Sequence, residues 1–215
     1  MARFRYPQVC ALARAAEIVG ERWTLLIVRE LLLGPRRFTD LKGRLDGVSA
    51  SVLTQRLLAL EESGLVVSRY LEPPAASTVY ELTDAGRALE PAVTALVRWG
   101  VRALVPVRPR ERVESDWLRL ALTAYARREP TPARSFTLRV RQPRHEVAVR
   151  VAGGPEGTRV SEAGAPADAT LIADPQTMLG LVSGMLVPAA ALRGGHVRLE
   201  GDPRALDDFP ALFSA

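Results

Sequence analysis

Residues 39–63 read TDLKGRLDGVSASVLTQRLLALEES, and the two helical stretches on either side of one turn in this run decide the fold. Leu41 and Leu45 stand four apart on one helix face, with Thr39 suited to cap the start of the helix. Asp46-Gly47 supplies a tight turn, because glycine reaches positive φ without steric cost. Ser49 then offers a side-chain oxygen to the free N–H groups of a second helix from Ala50 to Ser63. In that helix Val52, Leu53, Leu57 and Leu60 form an apolar stripe. Ala50, Ser51, Thr54, Gln55 and Arg56 are thereby left mainly on or beside the opposite face, which is short, polar and cationic.

Upstream, apolar residues at helical spacing from Val9 to Val19 end at Gly20, and a dense apolar helix from Trp23 to Leu33 stops at Gly34-Pro35. The apolar circumference of that second helix predicts a central, buried element. Downstream, residues 65–70 (LVVSRY) turn to β character, break at residues 73–77 (PPAAS) and return at residues 78–82 (TVYEL), a hairpin with a long tip. Thr83 caps a fifth helix to about Leu104, and the prolines in residues 105–110 (VPVRPR) interrupt further helix, which places a domain boundary there.

The second half predicts a helix at residues 115–128, alternating strands at 135–141 and 146–152, a glycine-rich turn and a strand near 169–173. An apolar helix at 175–186, a short helix at 188–192, a strand at 196–200 and a terminal helix after Asp202 complete it. The fold class is α+β, with domains at residues 1–105 and 111–215 and no internal repeat between them.

The chain has 215 residues, of which 47% are hydrophobic, enough for two packed cores. Its single cysteine, Cys10, excludes an intramolecular disulfide, and no segment reads as a signal peptide or membrane span, so a cytoplasmic protein is expected. Residues 1–110 hold 16 Lys and Arg against 11 Asp and Glu, whereas residues 111–215 hold 13 of each. The excess positive charge therefore lies in the half that carries the helix pair, which suits a polyanionic partner. The same asymmetry is also compatible with an ordinary solvated surface.

A helix pair joined by a short turn and followed by a hairpin describes a winged helix-turn-helix, whose second helix enters the major groove. Three segments carry a specific family resemblance: residues 20–41 (GERWTLLIVRELLLGPRRFTDL), 48–66 (VSASVLTQRLLALEESGLV) and 80–100 (YELTDAGRALEPAVTALVRWG). Together they resemble the HxlR family of winged-helix regulators, related to the MarR type, through Trp23, Phe38, Gln55-Arg56-Leu57 and Gly64-Leu65-Val66.

That resemblance implies a homodimeric, DNA-binding transcriptional regulator, by default a repressor, acting on a palindromic operator. Arg36, Arg37, Thr39 and Lys42 are suited to phosphate contacts, which hold register. Ser51, Thr54, Gln55 and Arg56, with Ser49 at the helix start, are the candidates for the DNA face, since Gln can pair bidentately with adenine and Arg with guanine. The alternative for Gln55 and Arg56 is a solvated face touching phosphate only. Arg69 stands on the wing, for a backbone or minor-groove contact or for plain solvent exposure. Leu89, Val93, Leu96, Val97, Val101 and Leu104 of the fifth helix, together with helix 1, offer a dimer interface or core. Cys10 sits where the family often carries a cysteine, and some members use that thiol to sense oxidants; the alternative is an inert thiol buried in the helix 1 interface.

Residues 167–213 (ADATLIADPQTMLGLVSGMLVPAAALRGGHVRLEGDPRALDDFPALF) resemble the C-terminal part of the sterol carrier protein type 2 fold. That fold implies an apolar tunnel, for which Trp117, Met178, Leu179, Val182, Met185, Leu186 and Leu192 are the candidate walls, with Leu181 beside them, and a hydrophobic small molecule is the candidate effector. The same side chains also serve as ordinary core. A second reading of the chain as a whole is a lipid-carrier-like protein whose winged helix mediates protein association.

Two histidines, one cysteine and no phosphate loop, dinucleotide fingerprint or nucleophile elbow leave catalysis, a metal or a cofactor without support. Asp202, Asp207 and Asp208 read as acids at a helix start, complementing its dipole, rather than as metal ligands.

Overall fold

The computed structural model describes residues 5–74, 76–104, 106–108 and 111–214, and it divides the chain into two compact units at residues 1–93 and 94–215. The expected hairpin tip includes Ala75, and the expected linker includes Val105, Pro109 and Arg110; these four lie outside the described residues.

The first unit contains α1 (Ala11–Val19), α2 (Thr24–Leu32), the short strand β1 (Arg36–Arg37), α3 (Phe38–Arg44), α4 (Ala50–Glu62), β2 (Val66–Leu71), β3 (Ser77–Leu82), α5 (Asp84–Arg87) and the start of α6 (Glu90–Gly100). An antiparallel sheet in the order β1-β3-β2 sets Arg37 opposite Val79 and Arg69 opposite Val79 on the other side. Ile27, Val28 and Leu31 of α2, Leu41 of α3, and Leu53, Leu57 and Leu60 of α4 meet Val66 and Leu82 of the hairpin in one core. These are the positions that helical spacing selects, which is how the sequence orients α4.

Helix α2 is buried as expected on one side, yet Leu26 is exposed and its most enclosed polar residue is Glu30. Glu30 accepts from Arg29 at 2.6 Å and is also paired with Arg44. Burial pulls the Arg29 guanidinium below its ordinary value, with Glu30 opposing that effect. Trp23 does not begin the helix; it precedes it in a left-handed conformation at φ 79°.

The expected cap at Thr39 is corrected. Helix α3 starts at Phe38, two residues earlier than a Thr39 cap implies, and the Asp40 carboxylate accepts the Arg37 N–H at 3.1 Å. A side-chain acceptor three residues into the helix satisfies that free donor, leaving Thr39 exposed within the first turn.

The expected fifth helix is two helices. Thr83 caps α5 by accepting the Gly86 N–H at 3.2 Å, but the chain breaks at Ala88-Leu89 before α6 resumes. Pro91 has no N–H to give the carbonyl four residues back, which favours the break.

The second unit begins within α6 and continues through a 3-10 turn (Val101–Leu104), α7 (Ser115–Tyr125), β4 (Ser135–Arg141), β5 (Glu146–Ala152), β6 (Arg159–Glu162) and β7 (Ala169–Ala173). It closes with α8 (Pro175–Val182), α9 (Pro188–Arg193), β8 (Val197–Gly201), α10 (Ala205–Asp208) and a 3-10 turn (Phe209–Leu212). The sheet order is β6-β5-β4-β7-β8, with β4 and β7 parallel and the other pairs antiparallel. Period-two alternation buries Phe136, Leu138 and Val140 of β4 beside Val147, Val149 and Val151 of β5. Leu118 and Leu122 of α7, Met178, Leu181 and Val182 of α8, and Phe209 join that core, where the Phe136 and Phe209 rings meet edge to face at 5.1 Å. Strand β6 was not expected, and the helix expected to reach residue 186 ends at Val182, before Gly184 at φ 73°.

Candidate nucleic-acid interface

Helix α4 is fixed at its start by Ser49, whose hydroxyl accepts the Val52 N–H at 3.2 Å and lies 3.0 Å from the Ser51 hydroxyl. With Leu53, Leu57 and Leu60 buried, the outward strip runs from Ser51 through Thr54 and Leu58 to Glu62 at the helix end, and Leu58 is 53% exposed. Gln55 stands beside that strip, half-buried. Over its first two turns the outward face is thus neutral and hydroxyl-rich, and the exposed Leu58 is a member that the apolar pattern alone hid.

Arg56 does not share that face, and its expected position is corrected. At about 100° per residue it lies about 140° around the helix axis from Ser51, on the flank nearer the core. Its guanidinium donates to Glu21 at 2.9 Å, and its side chain is 19% exposed. Glu21 and Arg56 line a cavity of about 280 Å³ together with Glu17, Ile18, Gln55 and Leu58. Glu21 was missed in the sequence because its partner lies 35 residues away and no local spacing joins them.

The expected phosphate-contacting residues fall on two elements. Arg36 and Arg37 form β1, with Arg36 half-buried and Arg37 exposed, while Thr39 and Lys42 belong to α3. Arg69 on β2 is exposed and pairs with Glu81 on β3 at 3.1 Å. The hydrogen bonds that Arg69 donates to Glu81 raise the Arg69 pKa and lower that of Glu81. Arg44, also cationic, is committed to Glu30.

Cys10 is exposed immediately before α1. Arg14, four residues on, is engaged with Glu17 at 3.0 Å.

The stripe expected for dimerisation divides. Val93 belongs to the core of the first unit, with Leu89 against it, while Val101 belongs to the core of the second, with Val97 against it. Leu96 and Leu104 remain exposed, as does Trp99 at 79%. On α1, Leu12 is 77% exposed.

The expected effector walls also divide. Met178 and Val182 are buried in the second core, and Leu179 and Leu192 pack against it. Trp117 is half-buried, with the Arg112 guanidinium 5.7 Å above its ring. Met185 and Leu186 lie exposed in the connection between α8 and α9, where the Leu186 side chain covers Gly180. Met185 and Leu186 therefore do not line an enclosed wall as expected, because α8 ends before reaching them.

Among the described residues no helix is long and apolar enough to cross a membrane. Among them too, no group of three or more His, Cys, Asp or Glu side chains is placed to hold a metal ion.

The HxlR-like helix-turn-helix family matches residues 18–107, and the SCP-2 sterol transfer family matches residues 115–214. The HTH-type transcriptional regulator Rv3095 of Mycobacterium tuberculosis is 43% identical over 90 residues, which cover 42% of this chain and 56% of the relative. The chain thus spans just over half the length of that mycobacterial relative. YvaP of Bacillus subtilis, also an HTH-type transcriptional regulator, is 34% identical over 93 residues, covering 43% of this chain and 86% of YvaP. A solved structure of a MarR-family transcriptional regulator from Enterococcus faecalis is 34% identical, covers 43% of this chain and 84% of its own, and superposes with a TM-score of 0.39. With a capped α4, a three-stranded wing, and sequence identity spanning most of YvaP, this chain belongs to the HxlR-like helix-turn-helix family of transcriptional regulators.

Proposed function

We propose that the protein binds double-stranded DNA as a homodimer, with α4 in the major groove, and represses transcription from a palindromic operator. The observation that carries this reading is the Ser51, Thr54 and Leu58 strip, which a capped helix holds outward with Gln55 at its edge. Hydroxyls and an amide offer donors and acceptors to base edges, and Leu58 offers an apolar contact to a thymine methyl group. Arg37 and Lys42 supply phosphate contacts from the neighbouring elements, and Arg69 does so from the wing. Two copies related by a two-fold axis would present their α4 helices to half-sites about 34 Å apart. A dimer seated there blocks access to an overlapping promoter.

The C-terminal unit, residues 111–215 in this reading, serves as the effector module. A hydrophobic small molecule held near Met178, Leu179, Val182 and Leu192 is its ligand, supported by the SCP-2 match over residues 115–214. Such a ligand alters DNA binding only if its affinity differs between the binding and non-binding states of the dimer.

The test is a titration of the full chain against duplexes flanking its own coding region and against a scrambled duplex, at two salt concentrations. Gln55→Ala is expected to lose about 1–3 kcal/mol of discrimination against the scrambled duplex. Lys42→Ala is expected to weaken both duplexes alike and to reduce the salt slope by about 0.9 for each phosphate no longer neutralised. A wild-type protein that binds no duplex overturns the reading.

A further inference from the structure

Arg56 is the only cation on α4, and it points away from the face on which the helix offers its hydroxyls. Its Nη2 is taken by Glu21 at 2.9 Å, while its Nε is buried with no hydrogen-bond partner. Glu21 is thus the hydrogen-bond partner that holds the Arg56 guanidinium inward, with its Nε left unsatisfied. Glu21 is 52% exposed, so water reaches the pair and its carboxylate can be replaced without burying a charge. The cavity beside the pair means that the guanidinium is not wedged into close-packed protein. Without Glu21 the inward position retains the cost of an unsatisfied Nε and loses its compensation, so the long side chain swings out to solvent.

An arginine released at this point of α4, two residues past Thr54 and on the helix flank, can extend its long side chain around the helix toward the phosphates that rim the groove. There it adds a phosphate contact, which strengthens binding to every sequence equally and so lowers the ratio of specific to nonspecific affinity. We propose that Glu21 is a specificity-determining residue: by holding Arg56 off the DNA, it leaves recognition to the neutral strip of α4. This rests on the DNA-binding reading above and assigns to the Glu21–Arg56 pair the restraint of nonspecific affinity.

The experiment compares full-length wild type, Glu21→Gln, Arg56→Ala and the double variant, each with the operator-containing duplex and the scrambled duplex, over roughly 50 to 200 mM salt. Glu21→Gln is expected to bind the scrambled duplex more tightly, with a log–log salt slope steeper by about 0.9 for each protomer engaged. Arg56→Ala alone is expected to keep the wild-type slope, and the double variant to return to it. The double variant keeps the test readable if Glu21→Gln also lowers stability, because loss of stability does not steepen a salt slope that Arg56→Ala then cancels. An unchanged slope in Glu21→Gln, or a shallower slope in Arg56→Ala alone, overturns the proposal while leaving DNA binding intact. Absence of wild-type binding to any duplex overturns both.

Discussion

Two acidic side chains show how local chemistry shapes this protein at the scale of single residues. Glu30 is enclosed between Arg29 and Arg44, so its removal strands two guanidiniums in a partly desolvated site. Glu30→Gln is expected to destabilise the first unit by about 3 kcal/mol, read as a lowered urea midpoint at constant slope. A loss below about 1 kcal/mol would mean that water reaches the two arginines as soon as the charge is gone. Asp174 caps α8. Burial pushes its pKa up, but hydrogen bonds from the Thr177 N–H at 2.9 Å and the Thr177 hydroxyl at 2.7 Å outweigh burial and hold it below the usual carboxylate value. A depressed folded pKa contributes stability above the unfolded value, about 3.9, and that stability is lost as pH falls through the lower folded value. Asp174→Ala is therefore expected to cost about 1 kcal/mol at neutral pH. The gap from wild type should narrow in melts taken at progressively lower pH below about 4. A gap independent of pH would show that the ionised carboxylate is not what caps the helix.

At the scale of elements, the junction of wing and α5 is closely packed. Thr83 donates its hydroxyl to the Gly64 carbonyl at 2.6 Å and its N–H to the Leu65 carbonyl at 3.0 Å, which pulls α5 onto the hairpin. A Cβ on Gly86 would stand 2.1 Å from the Leu65 carbonyl oxygen, a backbone atom that cannot rotate away. Gly86→Ala is expected to cost about 1–3 kcal/mol and to loosen the hairpin, seen as faster amide exchange at Val66 and Leu82; unchanged exchange would sink the packing argument. This junction also marks what could be read in the chain beforehand. The start of α4, the hairpin strands and strands β4, β5 and β7 were legible, because caps and apolar periodicity are local signals. The break at Ala88-Leu89 was overrun because apolar spacing continues through it, and β6 was hidden in a short polar run. The same locality explains the site: Ser51 and Thr54 follow from the stripe beneath them, whereas the Glu21–Arg56 pair joins residues that only the folded chain brings together.

For the whole molecule, the question is which apolar surface is left once each core has taken its share. Val93 belongs to the first core and Val97 and Val101 to the second, so α6 cannot offer its full stripe to another chain. What it leaves is Leu96 and Trp99, and α1 leaves Leu12, with Val9 exposed just before it. Large apolar side chains so exposed on two helices are the material for the proposed homodimer, since a buried aromatic anchor supplies much of an interface's energy. Trp99→Glu and Leu12→Glu are each expected to shift the protein from dimer to monomer in sedimentation equilibrium. Met185→Glu, on an exposed apolar residue of the α8–α9 connection, is expected to leave the dimer unchanged. The monomeric variants should bind a single half-site as weakly as a full palindrome, because a lone α4 gains nothing from the second half-site. If Trp99→Glu stays dimeric while Leu12→Glu does not, α1 alone carries the contact. If both stay dimeric, the interface lies on a surface that neither helix provides, and the two-fold geometry proposed for the operator must be rebuilt from it.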